Sequence, residues 1–188
     1  MATILDAVGN TPLVELKRLN TVPGIKIYAK LEGNNPGGSV KDRPALFMMQ
    51  KALERGDINH STTLIEATSG NTGIALSLMA NLFDMKIELV MPATSTRERV
   101  LTMKAFGAAV TLLETMEECR DYAEQKSDSG DFYMLNQFAN EDNSLAHYET
   151  TGPEIWRDTN QGITHFVSAM GTTGTIMGCS TFFKEKNS

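Results

Sequence analysis

Only two cysteines occur in 188 residues, Cys119 and Cys179. They lie far apart and outside any Cys-x-x-Cys or Cys/His spacing, which argues against a disulfide framework or a zinc site and fits a reducing compartment. The three histidines, His60, His147 and His165, share no ligand spacing either, so packing or surface roles are expected and no metal is implied. No run of apolar residues is long enough to span a bilayer. The opening Met-Ala-Thr-Ile-Leu-Asp lacks the basic segment and apolar stretch of a secretory signal, and a cytoplasmic placement is expected. Basic clusters are missing as well. With a formal charge of -6 and a pI near 5.1, the chain offers phosphates no Lys/Arg stripe, which argues against nucleic acid as a partner and favours small-molecule work. What is present, 41% hydrophobic and 21% charged residues, suits a soluble globular chain of one or two domains.

The patterning alternates. Short strand-like stretches over 12–16 and 26–31 flank the Pro23-Gly24 turn, and a Gly/Asn/Pro-rich loop follows at 33–38. Apolar residues Leu46, Phe47, Met49 and Leu53 then recur at helical spacing up to Gly56, with Pro44 tolerated in the first turn. Strands are expected over 62–67, 86–91, 108–113, 132–135 and 163–169. Helices are expected over 71–83, 96–106, 116–126 and 153–158, with a last one starting near Thr173. Strand-helix alternation of this length implies right-handed crossovers and an α/β fold with a mostly parallel sheet covered on both faces. Residues 138–148 read as a domain boundary. In open α/β sheets ligands gather at the carboxyl ends of the strands, so the loops there hold the candidate chemistry.

Three such loops stand out. In Gly37-Gly38-Ser39-Val40-Lys41-Asp42-Arg43, a glycine-rich loop delivers a lysine to the start of a helix. A desolvated lysine beside a helix N-terminus loses its proton more readily and suits an imine to an aldehyde cofactor, whereas a lysine beside Asp42 and Arg43 also suits a solvated helix start. Thr68-Ser69-Gly70-Asn71-Thr72-Gly73 opens the next helix with hydroxyls and free amides. It fits an approaching carboxylate or phosphate, or simply a helix capped by Ser69 or Asn71. Gly171-Thr172-Thr173-Gly174-Thr175 lies between the apolar stretch 163–169 and the last helix, where successive N–H groups and the helix dipole would cradle a phosphate monoester. Neither a dinucleotide nor a nucleoside-triphosphate motif is present. Cys119 lies in an acidic helix that disfavours a reactive thiolate, and Ile155, Trp156 and the methionines read as core filler.

Across nearly the whole chain these motifs resemble the fold-type II pyridoxal-phosphate enzymes, and within them the O-acetylserine sulfhydrylases, nearest to the cysteine synthase B group. The resemblance is carried by Gly9-Asn10-Thr11-Pro12-Leu13, Lys30-Leu31-Glu32-Gly33-Asn34-Asn35-Pro36, Ser39-Val40-Lys41-Asp42-Arg43 and Glu66 through Gly73. Asn136-Gln137-Phe138, Thr151-Gly152-Pro153-Glu154-Ile155-Trp156 and Gly171 through Thr175 complete it.

The resemblance implies two open, mostly parallel sheets flanked by helices, as in tryptophan synthase β. Residues 35–140 would form a smaller mobile domain carrying the lysine, with 1–34 and 141–188 belonging to an incomplete larger one. It implies pyridoxal 5'-phosphate as cofactor, bound as an imine to Lys41, with Asn71 on its ring hydroxyl and Gly171, Thr172, Thr173, Gly174 and Thr175 on its phosphate. Thr68, Ser69, Asn71, Thr72 and Gln137 would receive the substrate α-carboxylate. The implied reaction is a ping-pong β-replacement converting O-acetylserine and sulfide or thiosulfate to cysteine or S-sulfocysteine plus acetate, in a homodimer. Cystathionine β-synthase and serine/threonine dehydratase activities are the alternatives on the same scaffold, and an inactive fragment is another. Relatives continue beyond the helix that follows Gly174 and there supply further strands and a hydroxyl facing the pyridine nitrogen. The isolated chain is therefore expected to be unstable or to self-associate through uncovered sheet edges.

Overall fold

The structure, a computed structural model, describes residues 2–186. Strands β1 (Leu13–Glu15) and β2 (Tyr28–Lys30) form an antiparallel ribbon in which Leu13 pairs with Lys30. Helix α1 (Asp42–Arg55) stops at Gly56, whose left-handed φ of 78° lets its N–H and the Asp57 N–H bond back to Leu53 and Ala52. Then follow β3 (Thr63–Ala67), α2 (Asn71–Leu82), β4 (Lys86–Pro92), α3 (Arg97–Ala105) and β5 (Ala109–Leu113). Helix α4 (Met116–Asp128) starts at Thr115, whose hydroxyl accepts from the Glu118 N–H at 3.1 Å, and β6 is Phe132–Met134.

The four strands β5-β4-β3-β6 form one parallel sheet. Parallel strands need crossovers, and the connections choose sides. Leu64, Ile87 and Leu89 pack with α1, α2 and α3 into the main core, whereas Ile65, Ala67 and Val90 face Cys119 and Ala123 of α4. Helix α2 carries no ionisable residue and is apolar nearly all round, as expected of a helix pressed between sheet and neighbours. The chain leaves β3 toward β4 on one side and returns as β6 on the other. The strand order therefore reverses at β3, and the crevice beyond the ends of β3 and β6 is where such sheets bind ligands.

One expectation needs correction. The apolar stretch 163–169 forms no strand. Phe166 reaches the aromatic cluster of Phe183, while Val167 and Met170 are 91% and 79% exposed. A strand needs a ladder partner, and the backbone facing this stretch, Tyr28–Lys30 of β2, is separated from it by a cavity. The second sheet is thus represented, among the described residues, by the antiparallel β1–β2 ribbon alone. After β6 a continuous helical run begins within the stretch 138–148: α5 (Glu141–Ala146), a π-helical turn at His147–Thr151 and α6 (Gly152–Asp158).

Helix α7 (Gly174–Lys186) packs on α5 and the π-turn through small residues. A Cβ on Gly178 would overlap the Ser144 carbonyl oxygen and stand 2.8 Å from the His147 Cβ. Backbone cannot yield cheaply there, so Gly178→Ala is expected to destabilise the fold by about 1–3 kcal/mol, read as a lowered denaturation midpoint.

Candidate active site

A buried ion cluster sets the site's floor. Arg43, one residue past the start of α1 and 1% exposed, bonds through Nε and Nη2 to the two Glu32 oxygens at 2.7 and 2.9 Å. Through Nη1 and Nη2 it holds Glu154 of α6 at 2.6 and 2.7 Å. Lys30 of β2 donates to Glu154 at 2.6 Å and to the Thr11 carbonyl, and the Asn10 N–H donates to Glu154 at 2.8 Å. Asn35 accepts from the Gly9 N–H, and a Cβ on Gly9 would stand 2.9 Å from Arg43 Nη1. Four sequence motifs that looked separate are thus one clamp. Burial alone would raise the Glu154 carboxyl, but hydrogen bonds from Arg43 and Lys30 outweigh it and hold it at about 2. Glu32 is likewise raised by burial and, on balance, lowered by Arg43.

The clamp presents Lys41 at the N-cap of α1. Its backbone N–H donates to Ser39 Oγ at 3.2 Å, and Asp42 behind it accepts the Gly37 N–H, which leaves no room for a side chain at Gly37. Half-buried, the Lys41 amine is pushed below the ordinary lysine range by desolvation. Its Nζ donates to Thr172 Oγ1 at 3.4 Å. The lysine and the whole Gly171–Thr175 loop line one cavity of about 530 Å³, bounded on the other side by Tyr28, Lys30 and Phe166–Ala169. Within the loop Thr173 holds a left-handed φ of 65°, strained for a β-branched residue. Gly174 has no space for a Cβ because Asn143 of α5 presses on it.

Sequence reading missed His147 and Asn143. His147 is buried in the π-turn, with Nδ1 2.9 Å from Thr151 Oγ1 and Nε2 3.2 Å from Thr175 Oγ1. Burial, reinforced by the Arg43 charge, pushes it down to about 4 and leaves it neutral at pH 7. Its place in a π-turn, a frequent mark of functional sites, was the signal, and only the structure reveals that turn. Asn143 donates to the Gln137 carbonyl at 2.7 Å, while its buried Oδ1 has no hydrogen-bond partner among the described residues.

The Thr68–Gly73 loop lies apart. Thr68 and Thr72 are buried at the end of β3 and the head of α2, and Thr72 donates to Gln137 Oε1 at 2.7 Å. Neither Ser69 nor Asn71 caps α2. Gly70 occupies the N-cap in an extended conformation with no side-chain bond, so the first N–H groups stay open to an anion. Asn71 is exposed at the helix head. It and the other residues of this loop, with Gln137, do not line the Lys41 cavity.

The residues fit a phosphorylated aldehyde. An amine of lowered proton affinity faces a carboxylate-free loop with three hydroxyls and a helix N-terminus, and Glu32, the carboxylate on the cavity wall, is engaged by Arg43. Among the described residues no cluster could hold a metal ion and no helix is long and apolar enough to cross a membrane.

Fold and cavity together define an α/β protein whose half-buried lysine faces a hydroxyl-rich loop at a helix N-terminus. Residues 4–188 match the family described as pyridoxal-phosphate dependent enzyme, and the chain belongs to that family. It is 56% identical over 188 residues to the cysteine synthase B of Pseudomonas aeruginosa, an alignment covering 98% of this chain and 63% of that protein. Among solved structures, a cysteine synthase from Entamoeba histolytica superposes with a TM-score of 0.94 at 39% identity, over 99% of this chain and 57% of that one. An O-acetylserine dependent cystathionine beta-synthase from Helicobacter pylori gives 0.91 at 36%, over 99% and 63%. The chain thus spans about 63% of the length of the Pseudomonas relative.

Removing the clamp's cation strands two buried carboxylates. Arg43→Met is expected to lower stability by about 3–5 kcal/mol. In the unsubstituted protein Glu154, held at about 2, contributes stability that is complete above its ordinary 4.5 and is lost as pH falls from there toward 2. Acid titration followed by circular dichroism checks this, and the variant should show a weaker dependence over that window.

Proposed function

We propose that the protein catalyses a pyridoxal-phosphate-dependent β-replacement, converting O-acetylserine and sulfide or thiosulfate to cysteine or S-sulfocysteine plus acetate. The observation that carries this reading is the Lys41 amine facing the Gly171–Thr175 loop across one cavity. On this reading Lys41 anchors the cofactor, the N–H groups and hydroxyls of residues 171–175 hold its phosphate, and His147, neutral and fixed by Thr151, orients the Thr175 hydroxyl. Asn71 would hold the ring hydroxyl, which requires the loop at the head of α2 to close on the site.

When bound, the cofactor supplies an electron sink conjugated to the amino acid's Cα. The protein supplies the rest. Thr68, Ser69, Asn71, Thr72 and Gln137, around the uncapped head of α2, bind and orient the α-carboxylate. The Lys41 Nζ, its proton affinity lowered by burial, takes the α-proton and later returns it. Acetate leaves the β-carbon and the sulfur nucleophile takes its place.

Residues 35–140 would act as the smaller mobile domain, since the parallel sheet lies wholly within them, with 1–34 and 141–188 belonging to the larger one. The protein would work in the cytoplasm as a homodimer. The likeness to the Helicobacter pylori structure favours one second reading, in which homocysteine replaces the inorganic sulfur donor. Product analysis with O-acetylserine and each nucleophile separates the two. Lys41→Ala is expected to abolish the visible absorption of the cofactor-loaded protein and to lower turnover roughly 10²–10⁴-fold. A variant that kept both would overturn the assignment.

A further inference from the structure

Glu66, near the end of β3, is 3% exposed and lies on the same face of the sheet as Leu64, toward α1 and α2. No recorded ion pair involves it among the described residues. A buried carboxylate without a cation is unfavourable in a strand otherwise made of apolar residues and threonine, so its presence calls for a reason. Its oxygens accept the backbone N–H groups of Asn136 at 3.0 Å and Gln137 at 3.2 Å. Pairing between β3 and β6 ends at Ile65 and Met134, and Asn136, with a left-handed φ of 52°, turns the chain out of the ladder. Two amides are left facing β3 with no carbonyl to meet them, and one carboxylate takes both. The Gln137 carbonyl is held in turn by Asn143, and its side chain accepts from Thr72 at the head of α2.

We propose that Glu66, as a carboxylate, is a positioning residue for the substrate's α-carboxylate, fixing the Asn136–Gln137 backbone so that Gln137 and Thr72 frame the open amides of α2. The inference rests on the carboxylate site proposed above. Ionisation matters to it, because a protonated Glu66 presents a hydroxyl, a poorer acceptor, to one of the two N–H donors and weakens that bond. Burial raises this carboxyl to about 7, and the two amide bonds pull it only partly back. No neighbouring charge contributes. Glu88 and Tyr122 lie on the opposite face with α4, α2 carries no ionisable residue, Asp142 of α5 pairs with Arg55, and Tyr133 of β6, neutral at pH 7, shares the face.

The sign follows. A raised carboxyl adds stability that is complete below its ordinary 4.5 and is lost as pH rises through about 7, so the ionised state that orders the loop is the one that stabilises the fold least. Glu66→Gln removes the buried charge, keeps one acceptor and turns an NH2 toward the second amide. The variant is expected to melt at an equal or higher temperature at pH 8 and to keep the absorption of the bound cofactor. Its affinity for O-acetylserine, read by spectral titration, should fall roughly tenfold or more, with kcat changed little, and the Asn136 and Gln137 amides should exchange hydrogen faster. In the unsubstituted protein the affinity should fall as pH drops through about 7, a step absent from the variant. Turnover decides the functional reading, while affinity and amide exchange decide Glu66. Protein that binds O-acetylserine without turning it over overturns the former alone. A folded, loaded Glu66→Gln variant with unchanged affinity and exchange overturns the latter alone.

Discussion

The Arg43 guanidinium is the contact on which the rest of the site depends. It is bidentate to Glu32 and to Glu154, and through them it ties the loop before α1 to the N-terminal segment, to β2 and to α6. Buried ion pairs are weak evidence for stability, since desolvation offsets much of their attraction, but they demand one geometry. An apolar plug of the same volume would hold these segments together without fixing their register. Here the register decides where Lys41 stands, because only Asp42 separates it from the guanidinium along the chain.

Local chemistry was readable from the sequence. The strand-helix alternation of 62–135 is recovered almost residue for residue, because each element carries its own period and its own glycine or threonine punctuation. The lysine and threonine loops were readable for the same reason: a glycine-rich turn before a helix is a local statement about backbone N–H groups. Contacts between distant segments were not. Thr11, Glu32, Arg43 and Glu154 were visible as parts of four motifs, yet nothing in their spacing says that they meet. Glu66 looked like one more residue of a buried strand because its partners lie 70 and 71 positions away. The stretch 163–169 failed in the opposite sense, since an apolar, β-branched run advertises a strand whether or not a neighbour stands ready to pair with it.

The two candidate clusters line different spaces but share a contact. Asn143 touches both, donating to the Gln137 carbonyl and pressing against Gly174 where the threonine loop enters α7. Helix α5 itself is locked to α1 and α7. The two loops are thus held against the same amide side chain.

Long separations in the chain also order events in time. The sheet β5-β4-β3-β6 is complete by Met134, its widest pairing joining Thr63 to Phe132, whereas Lys41 meets Thr172 across 131 positions and Arg43 meets Glu154 across 111. Loop closure over such spans comes late in folding. The sheet can therefore form before the pocket, whose walls are complete only when α6 and α7 dock. Competence to hold a ligand then depends on segments brought together from opposite ends of the sequence, Lys41 from one and the Gly171–Thr175 loop from the other.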